Sequence, residues 1–259
     1  MKLEKRTVLI TGGTSGIGLE LASAFHLRGN TVILTGRDQN RLDAVRQALP
    51  GVHTFRSDVS DPAAITALHE NVVARFPGLD ILINNAGIMR NLDLNRDRDL
   101  TDVTREIEIN LSGPVRMVQK FLPHLKTRGS AAIVNVSSGL AFVPLPISPI
   151  YSATKAALHS FTQSLRVQLA GTGVTVIELA PPGVETPLFR GEFAAELADQ
   201  KGMDVKVLVR RAMAGFEAGK LEIRPGLANV LKAMSRIAPG FMLEQLVKMG
   251  KPKKTLAPA

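Results

Sequence analysis

Thr7-Val8-Leu9-Ile10-Thr11 leads directly into Gly12-Gly13-Thr14-Ser15-Gly16-Ile17-Gly18, and this stretch decides how the rest of the chain is organised. Its first half is apolar and β-branched, as in a buried strand, and a helical pattern over 17–28 follows the glycines. Glycines let the backbone approach a ligand, and the first turn of a helix offers free N–H groups. The stretch therefore predicts a strand, a phosphate-binding turn and a helix, with the spacing Gly-x-x-x-Gly-x-Gly.

Short aliphatic runs alternate with helical patterns along the chain, which is typical of βαβ units and a parallel sheet. We predict one Rossmann-type, doubly wound α/β domain over residues 1–250, with helices on both faces and added basic helices at about 226–249. Seven strands are predicted at 7–11, 31–36, 52–57, 80–84, 132–137, 174–179 and 221–224. The main helices are predicted at 17–28, 39–48, 62–76, 102–125, 151–169 and about 204–218.

Polar or small residues follow the carboxyl ends of these strands, the edge at which such sheets bind ligands. Arg37 follows the second strand, Asp58-Val59 the third, and Asn85-Ala86-Gly87 the fourth. After strand two an acidic residue accepts the ribose 2′-hydroxyl of NAD, whereas an arginine suits the 2′-phosphate of NADP. We therefore expect NADP(H) in preference to NAD(H). A solvated turn arginine and a helix-capping aspartate are the alternatives for Arg37 and Asp58.

Tyr151, the only tyrosine, lies four residues before Lys155 at the start of a predicted helix. Residues i and i+4 share a helix face, so the phenol and the ammonium address the same space. A positive charge about 4 Å away, at an effective dielectric constant near 20, favours the phenolate by about 4 kcal/mol, which would lower the pKa by about three units. Such a tyrosine can serve as a general acid or base. The spacing is also common on ordinary helix surfaces.

Jointly, these motifs resemble the short-chain dehydrogenase/reductase family over about residues 6–190. The resemblance rests on residues 11–18, Asp58-Val59, residues 84–87, Asn110, Ser138 and Tyr151-x-x-x-Lys155 in that order. It implies an oxidoreductase that moves a hydride between a nicotinamide and a carbonyl or secondary-alcohol carbon. The rival interpretation, a nucleotide-binding regulatory or scaffold protein, is disfavoured because the Ser-Tyr-Lys set is complete.

The resemblance also implies a role for each site residue. Tyr151 would transfer the proton, Ser138 would hydrogen-bond the substrate oxygen, and Lys155 would bind the nicotinamide ribose and lower the tyrosine pKa. Asn110 is either a packing feature or a polar relay, and the resemblance implies that it holds a water linking the lysine to solvent. Besides Tyr151 and Lys155, the expected cofactor contacts are Gly12, Ser15, Gly16, Ile17, Gly18, Arg37, Asp58, Val59, Asn85, Ala86, Gly87, Val184 and Thr186.

The loop Pro181-Pro182-Gly183-Val184-Glu185-Thr186 departs from the family, which usually has glycine at the place of Pro182. Proline fixes φ and removes an N–H, so we expect a stiffer loop that shapes the substrate pocket. The double proline and residues 138–144 resemble a bacterial subgroup associated with D-alanyl-lipoteichoic acid synthesis, from which no substrate carries over. Residues 187–202 correspond to a substrate lid. A hydrophobic substrate or core packing explains Phe142, Val143, Leu145, Ile147, Phe189 and Phe193.

The basic charge of the chain is concentrated at its C-terminal end. Net charge is +9, and twelve Lys/Arg against four Asp/Glu leave +8 in residues 201–259. The amphipathic helices at about 226–249 could pack on the sheet edge, form a subunit interface or lie on an anionic membrane surface. Nucleic-acid binding is not expected because no aromatic residues interleave with the basic ones. Residues 251–259 are expected to be a flexible basic tail.

Composition limits the remaining possibilities. Hydrophobic residues at 45% and charged residues at 21% are ordinary for a soluble protein, and the absence of cysteine excludes disulfides and thiolate chemistry. The five histidines lack paired metal-ligand spacing, and His159 either neighbours the site or packs its helix. Without a signal peptide or an 18-residue apolar run, a cytoplasmic location is expected, with peripheral membrane contact as an option. The partners expected are a small-molecule substrate and, by resemblance, a homodimer or homotetramer.

Overall fold

The structure, a computed structural model, describes residues 2–249, so the basic tail expected at 251–259 lies outside the described residues. Seven parallel strands form one sheet in the order β3-β2-β1-β4-β5-β6-β7, which confirms the doubly wound fold. The strands are β1 Thr7–Thr11, β2 Thr31–Gly36, β3 His53–Arg56, β4 Leu79–Asn84, β5 Ala131–Val136, β6 Val174–Leu179 and β7 Glu222–Ile223.

Helices cover both faces of the sheet. They are α1 Gly16–His26, α2 Gln39–Ala48, α3 Pro62–Arg75, α4 Leu100–Val103, α5 Arg105–Ile107, α6 Gly113–Lys126, α7 Pro149–Gln168, α8 Pro187–Arg190, α9 Val205–Glu217, α10 Leu227–Ile237 and α11 Pro239–Met249. Val8 and Ile10 face one hydrophobic cluster, built with α1 and α9, and Leu9 faces the other, built with α3, α6 and α7. Since both faces are buried, the strand is apolar at successive positions rather than at alternate ones.

Aspartates fix the starts of the helices beside the ligand-binding edge. Asp38 accepts the N–H of Arg41 at the start of α2, and Asp61 accepts the N–H of Ala63 at the start of α3. Asp58 instead accepts two hydrogen bonds from Ser60 within the turn. The helix-capping alternative for Asp58 is therefore wrong, because Asp61 occupies that position.

The single helix predicted over 102–125 is wrong, because the structure breaks it into α4, α5, a π-helix at Glu108–Ser112, and α6. Proline has no N–H, so Pro114 cannot donate to the carbonyl of Asn110 four residues earlier. The N–H of Gly113 bonds instead to the carbonyl of Glu108, five residues back. Such π-turns are frequent at functional sites.

The C-terminal helices pack against the rest of the domain near the carboxyl edge of the sheet. Leu231 of α10 and Leu246 of α11 join Val143 and Leu145 in a small hydrophobic cluster. A Cβ placed on Gly139 would lie 3.0 Å from Leu231, so α10 approaches that backbone closely. Within residues 2–249, none of the helices has the length and apolar character that crossing a membrane requires.

Candidate active site

The glycine-rich turn after β1 is tied to the end of β4. Thr11 Oγ1 accepts the N–H groups of Asn85 and Ala86, both at 3.0 Å. The Asn85 side-chain amide returns two hydrogen bonds to the carbonyls of Thr11 and Gly12. These four hydrogen bonds hold the glycine-rich turn against the residues that follow β4, at the carboxyl edge of the sheet.

Two glycines of the turn have physical requirements that other residues cannot meet. Gly12 has φ +65°, and a Cβ there would lie 2.8 Å from the Ala86 Cα. A Cβ on Gly18 would lie 2.3 Å from the Gly12 carbonyl oxygen. At the start of α1, the side chain of Ser15 makes no capping hydrogen bond, so it leaves the first N–H groups of this helix to a ligand.

A polar cavity of about 300 Å³ runs along this edge of the sheet. The predicted cofactor residues on its wall are Gly12, Ser15, Gly16, Ile17, Arg37, Asp58, Val59, Asn85, Ala86, Gly87, Tyr151, Lys155 and Thr186. Two other predicted cofactor residues do not line this cavity: Gly18 lies against the Gly12 carbonyl, and Val184 lines the adjoining apolar cavity.

At the far end of the polar cavity, basic residues surround the end of β2. Arg37 Nη1 lies 3.8 Å from Asp58 Oδ2, and both side chains are partly exposed. Arg41 also lines the cavity and lies 3.5 Å from Asp38. The sequence analysis missed Arg41, although its position one turn into α2 was a usable signal, since the first turn of that helix faces the same edge.

Tyr151 and Lys155 lie on α7 where the polar cavity meets a second one. Both side chains are buried, and Lys155 Nζ lies 5.5 Å from the tyrosine ring centroid. Lys155 Nζ donates to the Val136 carbonyl at 2.8 Å. Burial lowers the pKa of Lys155 to about 8, against the opposing charge of Glu178.

The expected lowering of the tyrosine pKa is not what the structure gives. Burial raises the pKa of Tyr151 to about 12, the hydrogen bond with Ser138 acts to lower it, and the charge of Glu106 raises it further. The prediction assumed an ammonium group at about 4 Å in a surface-like dielectric. In the folded chain both groups are desolvated, and the ammonium is held by a backbone carbonyl.

Ser138 lines an apolar cavity of about 450 Å³, as does Tyr151. Leu145, Pro182 and Phe189 line it, so Pro182 does face the pocket as expected. The other predicted pocket residues do not line it: Phe142, Val143 and Ile147 pack in the cluster with Leu231 and Leu246, and Phe193 is fully buried. The sequence analysis missed Met89, Leu140, Leu227, Leu231, Leu246 and Met249, which also line the cavity. The amphipathic pattern of the C-terminal helices was visible, but the sequence did not show where they dock.

Asn110 braces the backbone beside Gly87. Its Oδ1 accepts the N–H of Ile88 at 2.9 Å, and its Nδ2 donates to the Ile88 carbonyl and to Thr154 Oγ1. A Cβ on Gly87 would lie 3.2 Å from Asn110 Oδ1 and 3.7 Å from Lys155 Nζ. The packing role of Asn110 is thus shown, and the water-holding role stays a prediction.

Glu106 is a buried carboxylate near the site that the sequence analysis missed. One oxygen accepts the N–H of Arg90 at 3.0 Å, and the other is buried with no hydrogen-bond partner among the described residues. Burial raises the pKa of Glu106 to about 7, against the hydrogen bond and the charge of Arg90. The sequence offers no signal for this, since glutamate in an amphipathic helical stretch is ordinarily solvated.

The predicted lid, residues 187–202, is held to the loop before it by Glu185. This carboxylate bonds twice to Arg190 and accepts the N–H of Gly202. Arg190 also donates to the carbonyls of Leu197 and Gln200. Residues of this segment, among them Phe189 and Leu197, line one side of the apolar cavity.

Comparison with known proteins agrees with this geometry. The family model for short chain dehydrogenases matches residues 6–197. The uncharacterized oxidoreductase DltE of Bacillus subtilis is 42% identical over 247 residues, 95% of this chain and 98% of the relative. A short chain dehydrogenase from Burkholderia cenocepacia, in complex with NADP, is 27% identical with TM-score 0.82 and covers 95% of this chain and 99% of its own.

A second solved structure shares the fold. The 3-ketoacyl-(acyl-carrier-protein) reductase from Brucella melitensis, complexed with NADH, is 28% identical with TM-score 0.78; the alignment covers 88% of this chain and all of that one. The sequence match, the sheet order and the Ser138, Tyr151 and Lys155 site all point to one conclusion. The chain belongs to the short-chain dehydrogenase family of oxidoreductases.

Proposed function

We propose that the protein is an NADP(H)-preferring oxidoreductase that reduces hydrophobic ketones or aldehydes, with Tyr151 as proton donor. The observation that carries the proposal is the position of Tyr151, which lines both the polar and the apolar cavity. A dinucleotide in the first and a carbonyl compound in the second would meet at this side chain.

The polar cavity fits an extended dinucleotide. The turn holds glycines whose Cβ atoms would collide with backbone, and the start of α1 presents N–H groups where a pyrophosphate would bind. Asp58 and Val59 would hold the adenine end, and Lys155 and Thr186 the nicotinamide end. When bound, the nicotinamide supplies the hydride.

Tyr151 and Ser138 supply what the reduction needs from the chain itself. With a pKa near 12, the phenol carries its proton at neutral pH and can donate it to a carbonyl oxygen. The Ser138 hydroxyl, in hydrogen-bond contact with the phenol, is positioned to donate to the same oxygen. The buried ammonium of Lys155 favours the phenolate left after proton transfer, which offsets part of the desolvation cost.

Arg37 supports the preference for NADP(H). With Arg41, it places two guanidinium groups at the end of β2, where a 2′-phosphate would lie. One solved relative is in complex with NADP and another with NADH. The cofactor preference of this chain must therefore be argued from its own residues. Replacement of Arg37 by Ala should raise the KM for NADPH about tenfold or more and leave the KM for NADH nearly unchanged, since a charged hydrogen bond contributes about 1.5–3 kcal/mol. Equal changes in both would reject the assignment.

The apolar cavity supports a hydrophobic substrate. Each buried methylene contributes about 0.8 kcal/mol, so kcat/KM should rise roughly fourfold per methylene along a series of methyl ketones until the cavity is full. Leu231 lines the cavity, whereas its neighbour Val230 is 49% exposed. Leu231→Asn should reduce the rise of kcat/KM with chain length. Val230→Asn is the matched control and should leave that rise unchanged.

The decisive experiment measures NADPH oxidation over ketones and aldehydes with Tyr151→Phe as the comparison. Loss of the proton donor should lower kcat by about 10²–10⁴-fold while NADPH binding persists. Turnover that survives in Tyr151→Phe would reject the mechanism. Tight NADPH binding without turnover on any carbonyl compound would favour the alternative, a nucleotide-binding regulatory or scaffold protein.

The C-terminal helices also support a peripheral contact with anionic membranes, which we propose alongside a homodimeric or homotetrameric assembly. Their outer surface exposes Leu227, Val230, Ile237 and Phe241 beside Arg236. Removing the C-terminal helices would also remove one wall of the apolar cavity. The double variant Ile237→Ser with Phe241→Ser changes only the outer surface and is therefore the better test. This variant should pellet less with anionic vesicles and keep the wild-type sedimentation mass. A change in mass with unchanged pelleting would assign the surface to subunit contact.

A further inference from the structure

A group of polar side chains lies in the core directly behind Lys155. Glu178 of β6 is fully buried. The Ser137 hydroxyl donates to one of its carboxylate oxygens, and His159 Nδ1 lies 2.7 Å from the other. A buried carboxylate is costly unless something offsets its charge.

Two structural links connect the partners of this carboxylate with the lysine. Lys155 and His159 are four residues apart on α7, so they share a helix face. Lys155 Nζ donates to the carbonyl of Val136, and the next residue, Ser137, donates to Glu178. The two buried charges are therefore held by consecutive residues at the end of β5.

His159 is itself held in place on its far side. The side-chain nitrogen of Gln163 lies 3.2 Å from His159 Nε2, and an amide nitrogen can only donate. With Nε2 as the acceptor, the ring donates its Nδ1 proton to Glu178. The assignment follows from the hydrogen-bond network.

The other charges near Glu178 form a group of their own. Glu222, its register partner on β7, pairs with both Arg224 and Lys232, which leaves one positive charge in excess in that group. These three side chains are partly exposed, whereas Lys155 is buried, so solvent screens the charge of the group more than it screens the ammonium of Lys155. The charge of Glu178 raises the pKa of Lys155, whereas burial lowers it.

We propose that Glu178, held in place by Ser137 and His159, is a positioning residue that acts as the buried counter-charge of Lys155. It keeps the lysine in its ammonium form inside the protein, where the ammonium favours the phenolate of Tyr151. The role of Lys155 in catalysis rests on the proposed function, but the electrostatic coupling of Glu178 to Lys155 does not.

Titration of Lys155 tests the coupling without any substrate. Lysine labelled with carbon-13 at Cε reports each ammonium by NMR, and the resonance absent from Lys155→Met identifies Lys155. Glu178→Gln keeps the size of the side chain and removes its charge, with the His159 ring re-protonated at Nε2. In this variant the pKa of Lys155 should be lower than in the wild type by about one unit or more.

His159→Asn is the matched control because the asparagine amide can replace the Nδ1 donor; it should titrate like the wild type. His159→Leu removes that donor and should shift Lys155 in the same direction as Glu178→Gln, by less. An unchanged Lys155 pKa in Glu178→Gln overturns the proposal. If Glu178→Gln does not fold, an unchanged Lys155 pKa in His159→Leu overturns it. Shifted titration without carbonyl reductase activity would retain the coupling and reject only the proposed function.

Discussion

Glu106 should make the protein less stable as the pH rises through neutrality. Its pKa is raised from 4.5 to about 7 in the folded chain. The folded state therefore holds this proton more tightly than the unfolded state, and the resulting stabilisation is complete below pH 4.5 and lost as the pH rises through about 7. The whole shift corresponds to about 3 kcal/mol, of which about 2.5 kcal/mol falls between about pH 5 and about pH 8.

Glu106→Gln removes this dependence because the amide does not titrate. Urea unfolding at both pH values, followed by circular dichroism since the chain has no tryptophan, gives the free energy of unfolding of each protein. Relative to Glu106→Gln, the wild type should lose about 2.5 kcal/mol between the two pH values. Glu108→Gln is the control: Glu108 is half exposed and pairs with Arg116, so its replacement should change the stability by less than about 1 kcal/mol. Parallel pH profiles for Glu106→Gln and the wild type would refute the reasoning.

Three further changes follow from contacts at the site. Gly18→Ala places a Cβ 2.3 Å from the Gly12 carbonyl and should weaken NADPH binding at least tenfold by fluorescence titration, whereas Gly240→Ala, with open space around it, should not. Arg190→Met loses the hydrogen bonds to Leu197 and Gln200 and should make the lid the first site of limited proteolysis; an unchanged cleavage pattern would contradict this. Asn110→Ala loses three hydrogen bonds and should cost about 3 kcal/mol by urea unfolding, and a loss under 1 kcal/mol would contradict it.

The sequence was sufficient for the sheet and for the residues at its edge, because both follow from local rules. Successive apolar residues specify strands that are buried on two faces, and parallel strands deliver their carboxyl ends to a common edge. The π-helix at Glu108–Ser112 was missed although Pro114, which cannot donate to the carbonyl of Asn110, is visible in the sequence. The cavity wall from α10 and α11 was missed for a different reason: an amphipathic pattern shows which face of a helix is buried and not what it packs against.

The pKa reasoning from sequence failed for Tyr151 because it left out the burial of the phenol and the carboxylates near the pair. That reasoning treated the tyrosine and lysine as an isolated pair, in which one charge shifts the other group. In the folded chain, burial has the largest effect on both groups: it raises the pKa of Tyr151 to about 12 and lowers that of Lys155 to about 8. The charge of Glu106 adds to the first shift, and the charge of Glu178 opposes the second. Both pKa values lie above neutral pH, so the pair is a neutral phenol and an ammonium, the state from which the proposed reaction takes its proton.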